Sequence, residues 1–347
     1  MLTRRAVLTH TIAASAGTVL AAHQAPRATA QGTDAQAAAA QREHNKAIVR
    51  RFKEAQGTSD EAAVMREVLA PNYKRWRGGM EHLAANARDQ GFPGPGSYLR
   101  GALPDRTDEI VDIIAEDDRV AMLFRVRATH RGNLFGLAPT GKAIDIHEIG
   151  FFKLANGQIA EAWFMADEAG LLMQLGATLP ARRDGQRVVP PVTGEGEDPD
   201  AVIARLQAAA ISSAEDRNRL IVARSKGSGP AAGDRAENFR QTRVGFQHLR
   251  DAGTAKGVAK ETITAALPDR RDRIDGLLAK GDKVWMRFKV VGTHGANLYG
   301  LPPTGRRVEV PEVAIMRIVD GKWTEAWYFA DELGLLLQLD ALHLLLA

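Results

Sequence analysis

The 347-residue sequence contains no cysteine, which excludes disulfides, thiolate metal sites and cysteine nucleophiles. Aromatic residues make up only 6% of the chain, and no stripe of Lys and Arg is interleaved with them, so we expect no nucleic-acid binding. The formal net charge is only +4, and Arg4, Arg5 and Arg27 near the N-terminus account for most of this excess. Apolar residues form 45% of the chain, enough for a core in each of two ordinary domains.

Long hydrophobic runs are also lacking. The apolar stretch at 7–22 contains Ser, Thr and His, and is too short and too polar for a stable transmembrane helix. It follows Arg4-Arg5 and precedes a small-x-small cleavage sequence at 28–30, a pattern that resembles a twin-arginine (Tat) export signal. We therefore expect residues 1–30 to be this signal, the mature protein to be periplasmic or secreted, and no membrane association after cleavage. A Sec signal or an uncleaved anchor is the alternative.

The chain contains an internal duplication. Residues 103–177 recur at 267–341 with a constant offset, and nearly half of the positions are identical. Leu-Pro-Asp-Arg, Thr-His, Pro-Thr-Gly and Glu-Ala-Trp occur in both copies. Further upstream, His82-Leu83 recurs as His248-Leu249 after a small shift. The repeat predicts two copies of one structural module in the chain.

Domain bounds follow from the repeat and from a segment rich in proline, glycine and acidic residues between the copies. We expect a first domain over 41–179, a linker over 180–200 and a second domain over 201–347. If the sheets of the two domains pack on each other, the chain forms an intramolecular pseudo-dimer that buries Trp163 and Trp327.

In each copy the spacing of apolar residues changes about midway, from helical spacing to strand alternation. In the first copy helical spacing predicts helices near 40–57 and 78–90, with Ser59 as the N-cap of a helix between them. Alternating apolar residues then predict strands over 110–126, broken by a turn, and a hairpin over 144–165. Helices followed by an antiparallel sheet are typical of an α+β fold.

The motifs at 293–339, echoed at 129–175, resemble the SnoaL-like polyketide cyclase family of the NTF2-like superfamily. The resemblance implies two tandem cone-shaped domains, each a curved antiparallel sheet with helices that close a cavity. It also implies ring closure by acid/base chemistry on a polyketide- or ester-like substrate, without a cofactor. The family carboxylate corresponds to Phe164 and Tyr328, and its histidine to Gly150 and Ala314, so both copies lack both groups.

Other residues must then carry any acid/base chemistry. Strand alternation places Glu148 and Glu312 on the same sheet faces as residues 164 and 328, so they are candidate bases in the two cavities. Tyr328 could donate a hydrogen bond to a developing enolate and is a third candidate catalytic residue. Either glutamate could instead form an ion pair with an arginine.

We expect a small apolar molecule as ligand, bound by residues that line the cavities: Phe164, His130, His294, Phe152 and Met316. Structural hydrogen bonds from the two histidines to the adjacent loops are the alternative. The sequence lacks His-Glu-x-x-His or similar spacing, so we expect no metal. The family resemblance implies that no cofactor is used. Three functions stay open: a cyclase- or isomerase-type enzyme, a non-catalytic periplasmic small-molecule-binding protein, and a purely structural protein.

Overall fold

The structure is a computed structural model that describes residues 27–91, 95–179, 182–183, 196–209, 211–227, 234–244, 247–255 and 263–346. The chain divides into two compact units, residues 1–40 and 41–347. The described part of the first unit is the N-terminal half of one helix. Most of the predicted export signal, and most of the predicted linker, lie outside the described residues.

The first half of the larger unit contains five strands and the helices around them. Its helices, the first of which begins in the smaller unit, are α1 (Arg27–Glu54), α2 (Glu61–Val68), α3 (Glu81–Asp89), α4 (Pro95–Ala102) and α5 (Glu168–Leu175). Its strands are β1 (Leu69–Arg77), β2 (Thr107–Glu116), β3 (Arg119–Thr129), β4 (Ala143–Ala155) and β5 (Gln158–Ala166).

The second half repeats this arrangement. Its helices are α6 (Pro199–Ala208), α7 (Ala214–Arg224), α8 (Gln247–Ala255), α9 (Ile263–Ala266) and α10 (Glu332–Leu339), followed by a 3₁₀ helix at Leu342–Leu346. Its strands are β6 (Arg235–Arg243), β7 (Arg271–Lys280), β8 (Lys283–Thr293), β9 (Arg307–Val319) and β10 (Lys322–Ala330). None of the helices in the described residues is long and apolar enough to cross a membrane.

Each half forms one five-stranded sheet, with strand orders β1-β5-β4-β3-β2 and β6-β10-β9-β8-β7. Strands β2 to β5 and β7 to β10 are antiparallel, but β1 runs parallel to β5 and β6 parallel to β10. Each predicted antiparallel sheet thus carries one additional parallel edge strand, which comes from the helical half of its copy. The α+β order itself is present in both halves.

Alternation along β4 and β5 divides each sheet into two faces. In the first domain Phe152 and Phe164 belong to the core beneath the helices, whereas Ile149, Trp163 and Met165 belong to a second cluster on the opposite face. That second cluster also includes Trp285, Val313 and Phe329 of the second domain. The Phe151 ring lies 5.9 Å from the Trp163 ring and 6.2 Å from the Trp285 ring. Thus the two sheets contact each other through their outer faces.

One local prediction was wrong. The cap of α2 is Asp60 rather than Ser59, and no side-chain hydrogen bond caps this helix, because the Ser59 hydroxyl bonds the Asp60 carboxylate instead. Helix α6 begins at Pro199, inside the predicted linker, with Asp198 as its N-cap.

Candidate active site

The first domain encloses a cavity of about 630 Å³ between its sheet, α3, α4 and the segment that follows α1. Its lining mixes apolar and charged side chains, and includes Gln56, Trp76, Gly79, Met80, Leu99, Leu103, Arg106, Phe135, Glu148 and Phe164. This volume suits a drug-sized ligand. Among the predicted site residues, the cavity brings together Glu148 and Phe164.

Glu148 lies on β4, opposite Phe124 of β3 and Ala166 of β5. Its side chain is mostly buried, but one oxygen lies 3.8 Å from Lys53 Nζ and 3.8 Å from an Arg106 guanidinium nitrogen. Glu148, the predicted base, is therefore not an isolated carboxylate, because Lys53 and Arg106 flank it.

Lys53 on the last turn of α1 is the most deeply buried member of this cluster. Its ammonium lies 3.1 Å from Asp108, 3.0 Å from the Gln56 side-chain oxygen and 3.6 Å from the centre of the Phe124 ring. Burial lowers the pKa of Lys53 to about 8, against the opposing charges of Glu148 and Asp108. The ammonium is thus held by two acids and the face of an aromatic ring.

Arg106 completes the cluster from the segment before β2. It donates to Asp108 at 3.0 Å and lines the cavity beside Glu148. Sequence reasoning did not select Lys53 or Arg106 as site residues. A signal for Arg106 was present in the repeat, because Arg106 recurs as Arg270 in the duplicated Leu-Pro-Asp-Arg motif.

An aromatic wall forms the apolar part of the cavity. The Phe152 and Phe164 rings meet edge to face at 5.3 Å, and Phe52 of α1 stacks on Phe164 at 6.2 Å. Gly150 lies beneath these rings, since a Cβ atom there would come within 2.9 Å of Phe152. Phe152 is almost fully buried and thus supports Phe164, which faces the cavity.

The second domain repeats the cluster with one change. Lys226 lies 3.2 Å from Asp272 and 3.6 Å above the Phe288 ring, and Arg270 donates to Asp272 at 2.8 Å. However, Glu312 is completely buried and accepts a 2.6 Å hydrogen bond from Arg243. The two predicted bases therefore differ in both exposure and partner.

Tyr328 and Met316 lie in the core of the second domain. Burial, reinforced by the Glu312 charge, raises the pKa of Tyr328 to about 12. Its phenol therefore keeps its proton at neutral pH and can act only as a hydrogen-bonding group. Met316 is fully buried opposite Ala326.

The two predicted ligand-binding histidines lie at the loops that follow β3 and β8. His130 Nδ1 lies 3.1 Å from the Thr140 hydroxyl, and His294 Nδ1 lies 3.0 Å from the Thr304 hydroxyl. Both side chains are buried, and burial lowers the pKa of each. These contacts fix the loops, and a ligand contact by either histidine stays a prediction.

Two polar clusters lie where the domains meet. In the first, Asp331 accepts from Arg77 at 2.7 Å and lies 2.9 Å from His82 Nε2, with Glu168 nearby. In the second, His248 Nε2 lies 3.3 Å from Asp167, with Glu332 nearby. Each cluster contains three potential metal ligands, but the Arg77 guanidinium occupies one oxygen of Asp331 in the first. The expected absence of a metal stays a prediction.

Comparisons with known proteins follow the same division of the chain. Residues 47–175 and 235–339 match the family model of SnoaL-like polyketide cyclases. Aklanonic acid methyl ester cyclase DnrD of Streptomyces peucetius is 42% identical over 57 residues, which are 16% of this chain and 39% of that protein. The corresponding enzyme DauD of Streptomyces sp. (strain C5) is also 42% identical over 57 residues, 16% of this chain and 35% of that protein. The chain thus spans well under half the length of these curated relatives.

Two similar solved structures each cover less than half of this chain. A SnoaL-like protein from Jannaschia sp. CCS1 has a TM-score of 0.33 and 21% identity, over 39% of this chain and 94% of that chain. IdmH from Streptomyces antibioticus has a TM-score of 0.32 and 24% identity, over 38% of this chain and 99% of that chain. The two segments that match the family model lie in the two α+β domains described above.

Proposed function

The chain belongs to the SnoaL-like polyketide cyclase family, and on this basis we propose that its first domain is a cofactor-independent cyclase or isomerase that acts on a small ester-like substrate. Family membership supports the cyclase or isomerase role. The observation that carries the assignment to this domain is Glu148, a carboxylate in the wall of the 630 Å³ cavity between two cations.

In the proposed reaction Glu148 accepts a proton from the acidic carbon of the substrate, and an enolate forms. The enolate carbon attacks a carbonyl carbon of the same molecule, which creates the ring bond and leaves an alkoxide. The protonated Glu148 then returns its proton to that alkoxide, so no external reagent is consumed. Proton transfer by a positioned side chain contributes about 10²–10⁴-fold to such rates.

Arg106 and Lys53 would stabilise the negative charge that develops on oxygen. Arg106 lines the cavity, and Lys53 lies behind Glu148. Fixed cations next to a developing oxyanion lower the barrier because they require no reorganisation during the reaction. This arrangement replaces the family carboxylate that the sequence lacks at Phe164.

The cavity lining supports a mostly apolar substrate with carbonyl oxygens. Phe164, Met80 and Leu103 offer apolar surface, and the exposed Arg75 guanidinium lies 5.2 Å above the Phe164 ring. Arg75 Nε donates to the Tyr73 hydroxyl at 3.4 Å, and within the described residues no ion pair joins its guanidinium to a carboxylate. The two terminal nitrogens of the guanidinium are therefore available to a carbonyl or ester oxygen of the ligand.

Proton exchange tests this proposal directly. Aklanonic acid methyl ester, on which the curated relatives are named to act, is the first probe, and a simple β-keto methyl ester is the second. In D₂O, NMR follows loss of the acidic C–H signal, and chromatography follows ring closure. We expect Glu148→Gln to lower the enzyme-dependent rate about 100-fold, and the matched Glu312→Gln variant to stay within about twofold of the wild type. Full activity of Glu148→Gln in both assays would refute the assignment.

A non-catalytic periplasmic binding protein is the second candidate. Phe164, which cannot titrate, stands where the family resemblance expects the carboxylate, and this favours a cavity that holds a ligand without turnover. Calorimetry separates the two functions, because a binding protein would hold the ester saturably, leave it chemically unchanged and catalyse no exchange. In either case the predicted export signal would place the protein outside the cytoplasm.

A further inference from the structure

A second cavity lies beside the contact between the two sheets. It encloses about 340 Å³ and, unlike the cavity of Glu148, is lined by side chains of both domains. Its aromatic residues are Trp76, Phe151 and Trp163, and its charged residues are Arg119, Lys153, Glu161, Asp275 and Arg287. This cavity is called the Arg287 groove below. Its volume is sufficient for a small ligand.

The guanidinium of Arg287 is the distinctive charge of this groove. Its carbon atom lies 5.1 Å from the centre of the Trp163 ring and 5.8 Å from that of Phe151. Within the described residues, no hydrogen bond or ion pair joins this side chain to another group. Burial lowers the pKa of Arg287, but an arginine keeps its proton in proteins, so the positive charge remains. The guanidinium therefore lies near aromatic rings but holds no anion.

The two acids of the groove have other partners. Asp275 lies 3.6 Å from Lys289 Nζ. Glu161 accepts a hydrogen bond from the Trp76 indole at 2.8 Å. Asp275 and Glu161 act on Arg287 only through their charge at longer range. The N–H donors of the guanidinium are therefore available to a ligand.

The duplication supplies a matching groove in which this charge is absent. That groove encloses about 570 Å³ and includes Leu123 and Trp327. Leu123 is the strand equivalent of Arg287. Leu123 lies opposite Asp112 of β2, Arg287 lies opposite Gly276 of β7, and each pair directly follows a bulge in the edge strand. The two grooves thus have the same register but differ in charge.

The cations of the matching groove are already paired. Each has a carboxylate partner among the described residues: Lys283 pairs with Asp112, Arg317 with Asp282 and Arg240 with Glu325. The Lys283–Asp112 pair crosses the domain contact at 2.7 Å. In the Arg287 groove Gly276 replaces this aspartate, and a Cβ atom there would meet open space. The Arg287 groove therefore has both an available cation and the room for an anion beside it.

We infer that the Arg287 groove binds a small aromatic carboxylate, with the carboxylate on the Arg287 guanidinium and the ring against the aromatic side chains of the groove. A guanidinium donates two parallel N–H bonds to a carboxylate, and these are among the strong hydrogen bonds of proteins. The aromatic residues offer a flat apolar surface to the ring. This site is separate from the cavity of Glu148, and the inference does not depend on the reaction proposed there.

Calorimetry with naphthoate tests the inference, with naphthamide and acetate as ligands that lack the charge or the ring. We expect saturable binding of naphthoate and affinities at least about tenfold lower for the other two. Arg287→Leu should lower the affinity for naphthoate about tenfold or more, because it removes the charge-assisted hydrogen bonds. Arg317→Leu in the matching groove is the control, and its affinity should stay within about twofold of the wild type.

A second variant leaves Arg287 in place. Gly276→Asp should fold normally, since its Cβ atom meets open space, and should also lower the affinity about tenfold, because the new carboxylate would repel the ligand. Thermal unfolding verifies that each variant is folded, and if Arg287→Leu is not, Gly276→Asp decides. Three results would overturn the inference: no saturable binding by the wild type, wild-type affinity in a folded Arg287→Leu or Gly276→Asp variant, or a crystal structure that places naphthoate in the cavity of Glu148.

Discussion

At the scale of single residues, the ammonium of Lys53 links the hydrophobic core to the candidate site. Only 2% of its side chain is exposed, yet it carries a positive charge, which the carboxylates of Asp108 and Glu148 balance. Buried ions are tolerated where partners replace the lost water, and removing one partner leaves the others uncompensated. The cluster is therefore a point where site chemistry and stability depend on the same atoms.

We predict that Lys53→Met lowers the free energy of unfolding by about 3 kcal/mol, because it leaves two buried acids with Arg106 as their remaining cation. Urea unfolding followed by circular dichroism measures this loss. Lys46→Met on the same helix is the matched control, since Lys46 pairs with the exposed Glu43, and we expect a change below about 0.5 kcal/mol. Equal losses in the two variants would contradict the prediction.

Sequence reasoning found part of this site. Alternation along one strand was sufficient to place Glu148 beside Phe164, since neighbouring antiparallel strands share a face. Lys53 and Arg106 come from a helix and a turn that are distant in sequence, and periodicity carries no information about such contacts. The contact between Arg77 and Asp331 spans 254 residues and depends on how the domains pack, so only the structure could reveal it.

At the scale of secondary-structure elements, the turn between β1 and α3 fixes the site wall. The Gly79 carbonyl oxygen accepts from the Ala166 amide at 2.9 Å, which binds the turn to the end of β5. The family match and the order of helices and strands confirm the predicted SnoaL-like, α+β fold of both halves. Strand β1 was not predicted, because Tyr73-Lys74-Arg75-Trp76-Arg77 is mostly charged and half exposed and lacks the alternation of the central strands.

We predict that Gly79→Ala displaces the Glu148 carboxylate and lowers the exchange rate at least tenfold, because the new methyl group would lie 1.9 Å from its oxygen. The overall fold should persist, since Glu148 can move into the cavity. Gly78→Ala is the neighbouring control: its methyl group would meet only the tip of the Glu81 side chain, at 3.0 Å. Comparable rates for both alanine variants would show that the close approach of Gly79 does not matter.

At the scale of the whole molecule, His248 and Asp167 connect the two domains. Burial alone would lower the pKa of His248, but the hydrogen bond that His248 donates to Asp167 and the charges of Glu332 and Asp251 raise it to about 9. A histidine whose pKa is higher in the folded state adds stability that is complete below its ordinary pKa of 6.5 and lost as the pH rises through 9.

We therefore predict that the stability difference between the wild type and His248→Gln shrinks by about 2 kcal/mol from pH 6 to pH 9.5, given about 1.4 kcal/mol for each pKa unit and a partly exposed side chain. Denaturant unfolding at both pH values measures the difference. The exposed His44 provides the control, because the difference for His44→Gln should stay constant within about 0.5 kcal/mol. If the stability difference between the wild type and His248→Gln is the same at both pH values, the pKa of His248 is not raised.

Joining the two sheets in one polypeptide has a consequence for how the protein can change. In a dimer of identical subunits, one substitution in the gene changes both subunits. A residue that improves one subunit's side of the contact is therefore also present on the other side. Here the two halves of one polypeptide differ: Phe164 corresponds to Tyr328, and Arg77 bonds Asp331 whereas Arg243 bonds Glu312. Dilution cannot separate covalently linked halves either. Specialisation of one half and retention of the other as its support therefore require no second gene.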